Sequence, residues 1–220
     1  MAPELVTVSS QGAELVGLAT SLLSDGRTIL GITGAPGSGK SLLASALVGT
    51  VGRRAALVPM DGFHLGDAQL RRLSLLQRKG APETFDAWGY TAALARVRGR
   101  PDHQVYVPGF ERDLEQPLAA ALVVEPGTGL IVTDGNYLLL PGPEWQAVAA
   151  QLDQVWFVQT DEALRRDRLV ARHVASGKTL AAAIAWVERV DEPNARLIAA
   201  GAQRADVVLD LTSWRGTLAV

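Results

Sequence analysis

The chain is predicted to form a three-layer α/β/α fold, in which helices cover both faces of a five-stranded, mainly parallel sheet. Apolar strand-like runs alternate with helix-like segments along the 220 residues, a pattern typical of a parallel sheet wrapped on both faces. A glycine-rich loop separates the first long apolar run from the helix that follows it. Two further runs end in Asp-Gly, at 61–62 and 134–135, where such a sheet would place polar groups at one edge.

The glycine-rich loop follows the apolar run 28–32 and fits the pattern G-x-x-x-x-G-K-[ST]. Glycines permit positive φ and bring no Cβ against a phosphate, while loop N–H groups and the helix N-terminus bind anions. Strand, loop and helix occur in the order that this phosphate-binding pattern requires, so we expect Lys40 on the β- and γ-phosphates and Ser41 on Mg²⁺. The predicted nucleotide-binding residues are Gly34, Ala35, Pro36, Gly37, Ser38, Gly39, Lys40, Ser41 and Leu42.

Two carboxylates follow predicted strands. Asp61 comes after the run 55–60, and an acid there can accept a proton from a hydroxyl that attacks the γ-phosphate, or help to hold Mg²⁺. Asp134 ends the run 130–134 in the form of a Walker B segment, which predicts a metal ligand beside Ser41. Asp-Gly is also an ordinary turn pair, so a structural role stays open for both acids. A lone histidine such as His64 is often structural too.

The remaining elements follow from hydrophobic periodicity and turn signals. They are helices over 13–23, 66–77, 91–97, 161–174, 180–189 and 193–200, a β-hairpin over about 104–124, and strands over 154–159 and 205–211.

Two segments outside the strands are candidates for function. The loop 78–90 is rich in turn formers, but Phe85 and Trp88 argue against disorder. A helical lid is predicted over about 165–180, where a cluster of arginines would hold phosphates; a solvated charged face is the alternative explanation.

The amino-acid composition limits the class of protein and the kinds of partner that the chain can have. Apolar residues make up 48% and charged residues 20%, as in ordinary globular proteins. The net charge of −2 gives no field that would attract nucleic acid or anionic lipid, and the absence of cysteine excludes disulfides and thiolate chemistry. No apolar run reaches membrane-spanning length. We therefore expect one cytoplasmic domain over 1–220 that binds a small-molecule substrate, and neither nucleic acid nor a membrane, with homodimerisation left open.

Five separated segments together resemble one family. They are GAPGSGKS, MDGFH, RKGAPETFD, VPGFERDLEQPL and TDGNYLLL, and they span about residues 29–180. In this order they are similar to the P-loop kinase family of uridine kinase, phosphoribulokinase and bacterial type I pantothenate kinase. The likeness is greatest to the nucleoside/nucleotide kinase-like, or fructose transport system kinase-like, group.

The resemblance implies roles for several residues. Asp61 would activate the acceptor hydroxyl, and Asp134 stands where relatives usually carry glutamate. Arg112 takes the place of a substrate-contacting histidine, which suggests a more anionic or differently shaped acceptor. Arg168 and Arg172 fall in the arginine-bearing lid and would join Lys40 in catalysis. The candidate substrate-binding residues are Asp61, His64, Arg78, Phe85, Phe110, Arg112, Asn136 and Tyr137.

The predicted function is ATP- and Mg²⁺-dependent transfer of the γ-phosphate to a hydroxyl group of a sugar, polyol, nucleoside or vitamin precursor. A nucleoside kinase acting on a uridine-like acceptor is one alternative, and a nucleotide-dependent switch or ATPase without an acceptor is another. Neither Asn136 nor Asn194, the only asparagines, begins the N-K-x-D motif that a GTPase would carry. No LSGGQ-type segment indicates a transporter ATPase.

Overall fold

Six strands form one sheet in the part of the chain that the structure describes, and every neighbouring pair runs parallel. The computed structural model describes residues 3–9, 11–23, 26–99 and 102–218. The strands are β1 (Glu4–Thr7), β2 (Thr28–Gly34), β3 (Ala55–Leu57), β4 (Val105–Glu111), β5 (Gln116–Val124), β6 (Leu130–Gly135), β7 (Gln154–Gln159) and β8 (Val207–Asp210). The helices are α1 (Ala13–Ser21), α2 (Lys40–Val51), α3 (Asp67–Arg72), α4 (Ala87–Gly99), α5 (Pro143–Ala149), α6 (Glu162–Ala175), α7 (Leu180–Trp186) and α8 (Glu192–Ala199). The sheet order is β1-β8-β7-β2-β6-β3.

Helices cover both faces of this sheet, which confirms the predicted three-layer architecture. Successive side chains of a strand point to opposite faces, so β2 contributes to two apolar clusters. Ile29 packs in the cluster that contains residues of α4, α5 and α8, whereas Leu30 and Ile32 pack with residues of α1 and α2. Within the described residues, no helix combines the length and the apolar character needed to cross a membrane.

The sheet has one strand more than the sequence predicted. The five expected strands are present as β2, β3, β6, β7 and β8, and β1 adds a sixth by pairing with β8 at the edge. Three of the four residues of β1 are exposed. It is therefore held mainly by main-chain pairing, and it lacks the apolar run by which buried strands are recognised.

The predicted hairpin is confirmed. Strands β4 and β5 form a separate antiparallel sheet. This hairpin packs on the turn Met60–Phe63 after β3 so closely that a Cβ at Gly62 would collide with the carbonyl group of Pro108.

The helices beside the loop 78–90 differ in length from the prediction. The helix predicted over 66–77 ends at Arg72, because Ser74 takes a positive φ of 59° and a separate 3-10 turn follows at Leu76–Arg78. Leu73, the residue after the end of α3, is 41% exposed. The short helix predicted over 91–97 is longer at both ends, Ala87–Gly99.

Buried Arg27, just before β2, donates hydrogen bonds to main-chain oxygens of α4 and of the turn before β6. Its guanidinium group donates to the carbonyl oxygens of Val97 at 2.5 Å, Glu125 at 2.8 Å and Thr128 at 3.2 Å. One side chain thus ties the end of α4 and the turn before β6 to the central strand.

Replacing Arg27 with methionine should lower the free energy of unfolding by about 3 kcal/mol, because buried carbonyl groups would lose a charged donor. Urea unfolding monitored by tryptophan fluorescence measures this change. Arg53→Met, an exposed position in the turn after α2, is the matched control and should change stability by less than about 0.5 kcal/mol. Equal unfolding midpoints for the two variants would contradict the assignment.

Candidate active site

The glycine-rich loop lies between β2 and α2, at the carboxyl edge of the sheet. Gly37 and Gly39 have φ values of 82° and 94°, a backbone conformation that glycine adopts without strain. A Cβ at Gly37 would lie 2.8 Å from both the carbonyl oxygen of Arg165 and Cγ of Leu169, so the loop packs directly on α6. Position 37 therefore requires glycine, because the backbone has a positive φ and because α6 leaves no room for a Cβ.

The loop presents main-chain N–H groups at the beginning of α2. The first N–H groups of any helix lack intrahelical acceptors, and no hydrogen bond within the described residues takes up those of Lys40 and Ser41. Donors at a helix N-terminus, with small residues before them, suit an anion such as a phosphate group. The residues present therefore fit the phosphates of a nucleotide.

Ser41 and Asp134 form a pair of oxygen donors beside this loop. Parallel pairing aligns Ile32 of β2 with Asp134 of β6, and Ser41 Oγ donates to Asp134 Oδ2 at 2.5 Å. Burial raises the pKa of the Asp134 carboxyl group, although the Ser41 hydrogen bond and the Lys40 charge oppose the shift. Hard oxygen ligands in this number fit Mg²⁺, which takes few protein ligands and completes its shell with water and phosphate oxygens. Clusters of three or more acidic or histidine side chains that could hold a metal are absent from the described residues.

Lys40 lies among charged groups from several elements. Burial is the main cause that lowers the pKa of its ammonium group; Asp134 and Asp61 oppose the shift, and Arg172 and Arg112 add to it. These four side chains come from different parts of the sequence, so the fold brings together the predicted acids and two of the predicted arginines.

A cleft of about 380 Å³ opens beside the Ser41–Asp134 pair. Asp61 lines it from the turn after β3, and Arg112 lines it from the hairpin. The rest of the lining is mostly apolar, and it consists of Ser45, Leu57, Pro59, Gly109, Phe110, Glu111, Leu118, Ala121 and Leu122. A small polar molecule bound here would have Asp61 and the Ser41–Asp134 pair at one side.

His64 lies behind Asp61 and does not line the cleft. Its ring packs between Phe85 and Phe110, with ring centroids 4.0 Å and 4.9 Å away, and its Nδ1 is 2.8 Å from the main-chain oxygen of Asp61. Burial lowers the pKa of the imidazole, although Asp61 opposes the shift. The geometry indicates a histidine that supports the turn carrying Asp61.

Three other candidates for substrate contact lie outside the cleft. The Arg78 guanidinium group pairs with Glu83 at 2.6 Å on the surface. Phe85 and Tyr137 are buried in the core, where Tyr137 donates its hydroxyl hydrogen to the carbonyl oxygen of Gly80 at 2.5 Å. Two of these side chains thus pack in the core and Arg78 pairs at the surface, and contact of the three with a substrate stays a prediction.

Asn136 follows β6 directly. Its main-chain oxygen accepts a hydrogen bond from Thr33 Oγ1 at 3.2 Å, which joins the ends of β2 and β6. Its side-chain Oδ1 is buried and has no hydrogen-bond partner among the described residues.

Helix α6 carries the predicted lid arginines to the phosphate loop. Arg168 Nη1 lies 3.9 Å from the position of a Cβ at Gly39, and the Arg172 charge acts on Lys40. Across the described ranges of the chain, neither guanidinium group has a carboxylate within 4.0 Å. Both are available to a bound anion.

Two residues that the sequence did not single out shape this region. Arg165 is buried and donates to the carbonyl oxygen of Pro36 at 3.3 Å. Lys79 bonds to Asp67 Oδ1 at 2.7 Å and to the carbonyl oxygen of Glu115, and thereby ties the loop 78–90 to the end of the hairpin. Lys79 belongs to the charge-rich loop 78–90, but its contacts with Asp67 and Glu115 leave no local pattern in the sequence.

Comparison with known proteins identifies the family. The chain is 30% identical over 208 residues to a Schizosaccharomyces pombe protein named as a candidate uridine kinase, and the match covers 89% of this chain and 88% of that protein. The crystal structure of a candidate fructose transport system kinase from Silicibacter sp. TM1040 shares 36% identity, with a TM-score of 0.79 over 89% of this chain and 97% of that chain.

A more distant structural neighbour has the same fold. YFH7 from Saccharomyces cerevisiae, described as a candidate P-loop containing kinase with a circular permutation, has a TM-score of 0.76 at 18% identity, over 90% of this chain and 98% of that chain. No protein-family model matches the chain. The identity to relatives over most of their length shows that this chain belongs to the P-loop kinase family of uridine kinase and its relatives.

Proposed function

We propose that the protein transfers the γ-phosphate of ATP to a hydroxyl group of a small metabolite bound in the cleft. The observation that supports this most is that one cleft is lined by Asp61, by the Ser41–Asp134 pair and by Arg112. Relatives are named as kinases, which supports ATP-dependent phosphotransfer to small metabolites as the general activity. A volume of about 380 Å³ suits a small acceptor.

The loop 34–42 is proposed to bind the triphosphate through its N–H groups, with Lys40 between the phosphates and the two acids. Ser41 and Asp134 would hold Mg²⁺, which neutralises charge on the phosphate oxygens when it is bound. Arg168 and Arg172 would contact the transferring phosphoryl group from α6. In phosphoryl transfer such positioning and charge stabilisation supply most of the catalysis.

Asp61 is proposed as the general base. The acceptor hydroxyl would give its proton to the Asp61 carboxylate as its oxygen bonds to the γ-phosphorus and the bond to the β-phosphate oxygen breaks, leaving ADP. The Asp61 backbone is held from behind by His64 and from the side by the close packing of Gly62 on Pro108. This support keeps the carboxylate in position without occupying its oxygens.

ADP release from Mg-ATP should be accelerated by at least one member of a panel of nucleosides, sugars, polyols and hydroxy acids. Asp61→Asn should reduce that stimulated rate by about 10²–10⁴, the usual contribution of a general base, while the affinity for ATP is retained. The matched control is Asp167→Asn, an exposed acid on α6, which should keep the wild-type rate. Wild-type turnover by Asp61→Asn would overturn the assignment, and tight ATP binding without any stimulation would favour a nucleotide-dependent switch.

Ser41→Ala should raise the Mg²⁺ concentration needed for half-maximal ATP binding by about tenfold, because the site loses one oxygen ligand and the group that orients Asp134. Titration of Mg²⁺ at fixed ATP, followed by calorimetry, measures the change. Ser45→Ala removes a second hydroxyl from the cleft lining, one helical turn further along α2, and should leave the Mg²⁺ requirement unchanged. Equal Mg²⁺ requirements for the two variants would exclude Ser41 as a ligand.

Arg112 is proposed to bind a polar or anionic group of the acceptor. Glu111 lies next to it, but the Glu111 carboxylate accepts from the N–H group of Asp113 at 3.2 Å, and no described carboxylate lies within 4.0 Å of the Arg112 guanidinium group. A free guanidinium group beside a cleft suits a carboxylate or a phosphate.

Acceptors should therefore be compared as matched pairs, each anion with its neutral counterpart, such as a hydroxy acid with the corresponding polyol. We expect the anionic member to have the lower KM, and Arg112→Gln to raise that KM by about tenfold or more while the KM for ATP stays within about twofold. Arg53→Gln, remote from the cleft, is the control. A larger effect of Arg112→Gln on ATP than on the acceptor would assign Arg112 to the nucleotide.

A further inference from the structure

We propose that Glu192 is a positioning residue, which acts through Arg165 to hold the phosphate loop and helix α6 together, and that Asp191 fixes the same helix through His173. This proposal rests on the proposed function, because it concerns how Arg168 and Arg172 are aligned on the phosphates.

The first observation is a buried ion pair under the loop. Arg165 Nη2 lies 2.5 Å from Glu192 Oε1, and the two side chains are 6% and 9% exposed. The other terminal nitrogen of Arg165 donates to the carbonyl oxygen of Pro36 in the loop. Glu192 does not touch the loop in these contacts, so its influence on the loop passes through Arg165.

A second pair lies about two turns further along α6. His173 Nε2 is 2.8 Å from Asp191 Oδ2, and both side chains are nearly buried. Asp191 and Glu192 are consecutive, and they lie where the π-helical segment Val187–Asp191 meets α8. A π-helical segment inserts an extra residue into a helix and is common near functional sites. The π-helical segment ends at Asp191 and α8 begins at Glu192, so the two acids that pair with α6 lie at this junction.

The two anchored residues bracket the two free arginines. Arg168 and Arg172 lie between Arg165 and His173 in α6. The Arg168 guanidinium group lies near Gly39 of the phosphate loop, and the Arg172 charge acts on Lys40. Neither has a carboxylate within 4.0 Å in the described part of the chain. Long arginine side chains lose considerable conformational entropy when they bind, so a fixed helix backbone reduces the freedom that must be lost. The two anchors thus limit the movement of the helix backbone that carries Arg168 and Arg172.

The exposed pair on the same helix provides a contrast. Arg166 Nη2 and Glu188 Oε1 are 3.7 Å apart, with side chains 42% and 61% exposed. Glu188 belongs to the same π-helical segment but does not contact the phosphate loop. It therefore supplies the matched control for Glu192.

The test measures binding of a non-hydrolysable ATP analogue and of ADP, each with Mg²⁺, by calorimetry, and needs no acceptor. Glu192→Gln should weaken binding of the analogue by about tenfold and binding of ADP by less, so the ratio of the dissociation constant of the analogue to that of ADP rises. A loss of folded protein alone would lower the binding stoichiometry and leave this ratio unchanged. Glu188→Gln should keep the wild-type ratio. Glu192→Asp, which retains the charge, is used in the same way if the glutamine variant does not fold.

A double-mutant cycle with Arg168→Gln completes the test. If Glu192 acts by aligning α6, its effect on the analogue should be smaller in the Arg168→Gln background than in the wild type. A wild-type ratio in both Glu192 variants, or full additivity with Arg168→Gln, would overturn the proposal. Either result leaves the kinase assignment standing, because that assignment is decided by acceptor-stimulated ADP release.

Discussion

The parallel pairing of β2 with β6 is the constraint on which the geometry of the cleft depends. It aligns Ile32 with Asp134 and brings the loop that follows β2 beside the acid that ends β6. The hydrogen bond from Ser41 to Asp134 then joins the first turn of α2 to the end of β6. Because both strands are buried along nearly their whole length, a slip in their register would expose apolar side chains as well as separate the two groups. The same register of β2 and β6 is therefore needed both for the stability of the core and for the arrangement of the site.

The two sides of the cleft are supported in different ways. The side of the cleft next to the glycine-rich loop is built from the central sheet, α2 and the buried contacts of α6, all of which belong to the main body of the fold. The opposite side is a hairpin outside the main sheet, held by the packing of Gly62 on Pro108, by Lys79 and by the ring contacts of His64. Asp61 lies on the boundary between the two sides. Under the proposed function, Asp61 at that boundary would contact the acceptor on one side while the phosphates are bound on the other.

Sequence reasoning located most of the fold and the phosphate loop because both have strong local signals. The five predicted strands lie within apolar runs of the sequence, whereas β1 is mostly exposed and lacks such a run. Leucines spaced like those of a helix over 66–77 suggested one continuous helix, yet Ser74 interrupts it through a positive φ that the spacing does not encode. Asp61 and Asp134 were predicted as site residues because polar groups gather where parallel strands end, and both line the cleft. The contacts of Lys79 and Arg165 could not be predicted from local patterns, because the partner of a cation can lie far along the chain, as Glu192 does from Arg165.

The independence of the hairpin has a consequence for how such proteins diversify. Strands β4 and β5 pair only with each other among the described strands, so replacements on their inner surface leave the hydrogen bonding of the central sheet intact. Under the proposed function, a few substitutions on the hairpin would change which acceptor fits the cleft, while the central strands that carry the glycine-rich loop and Asp134 keep their pairing.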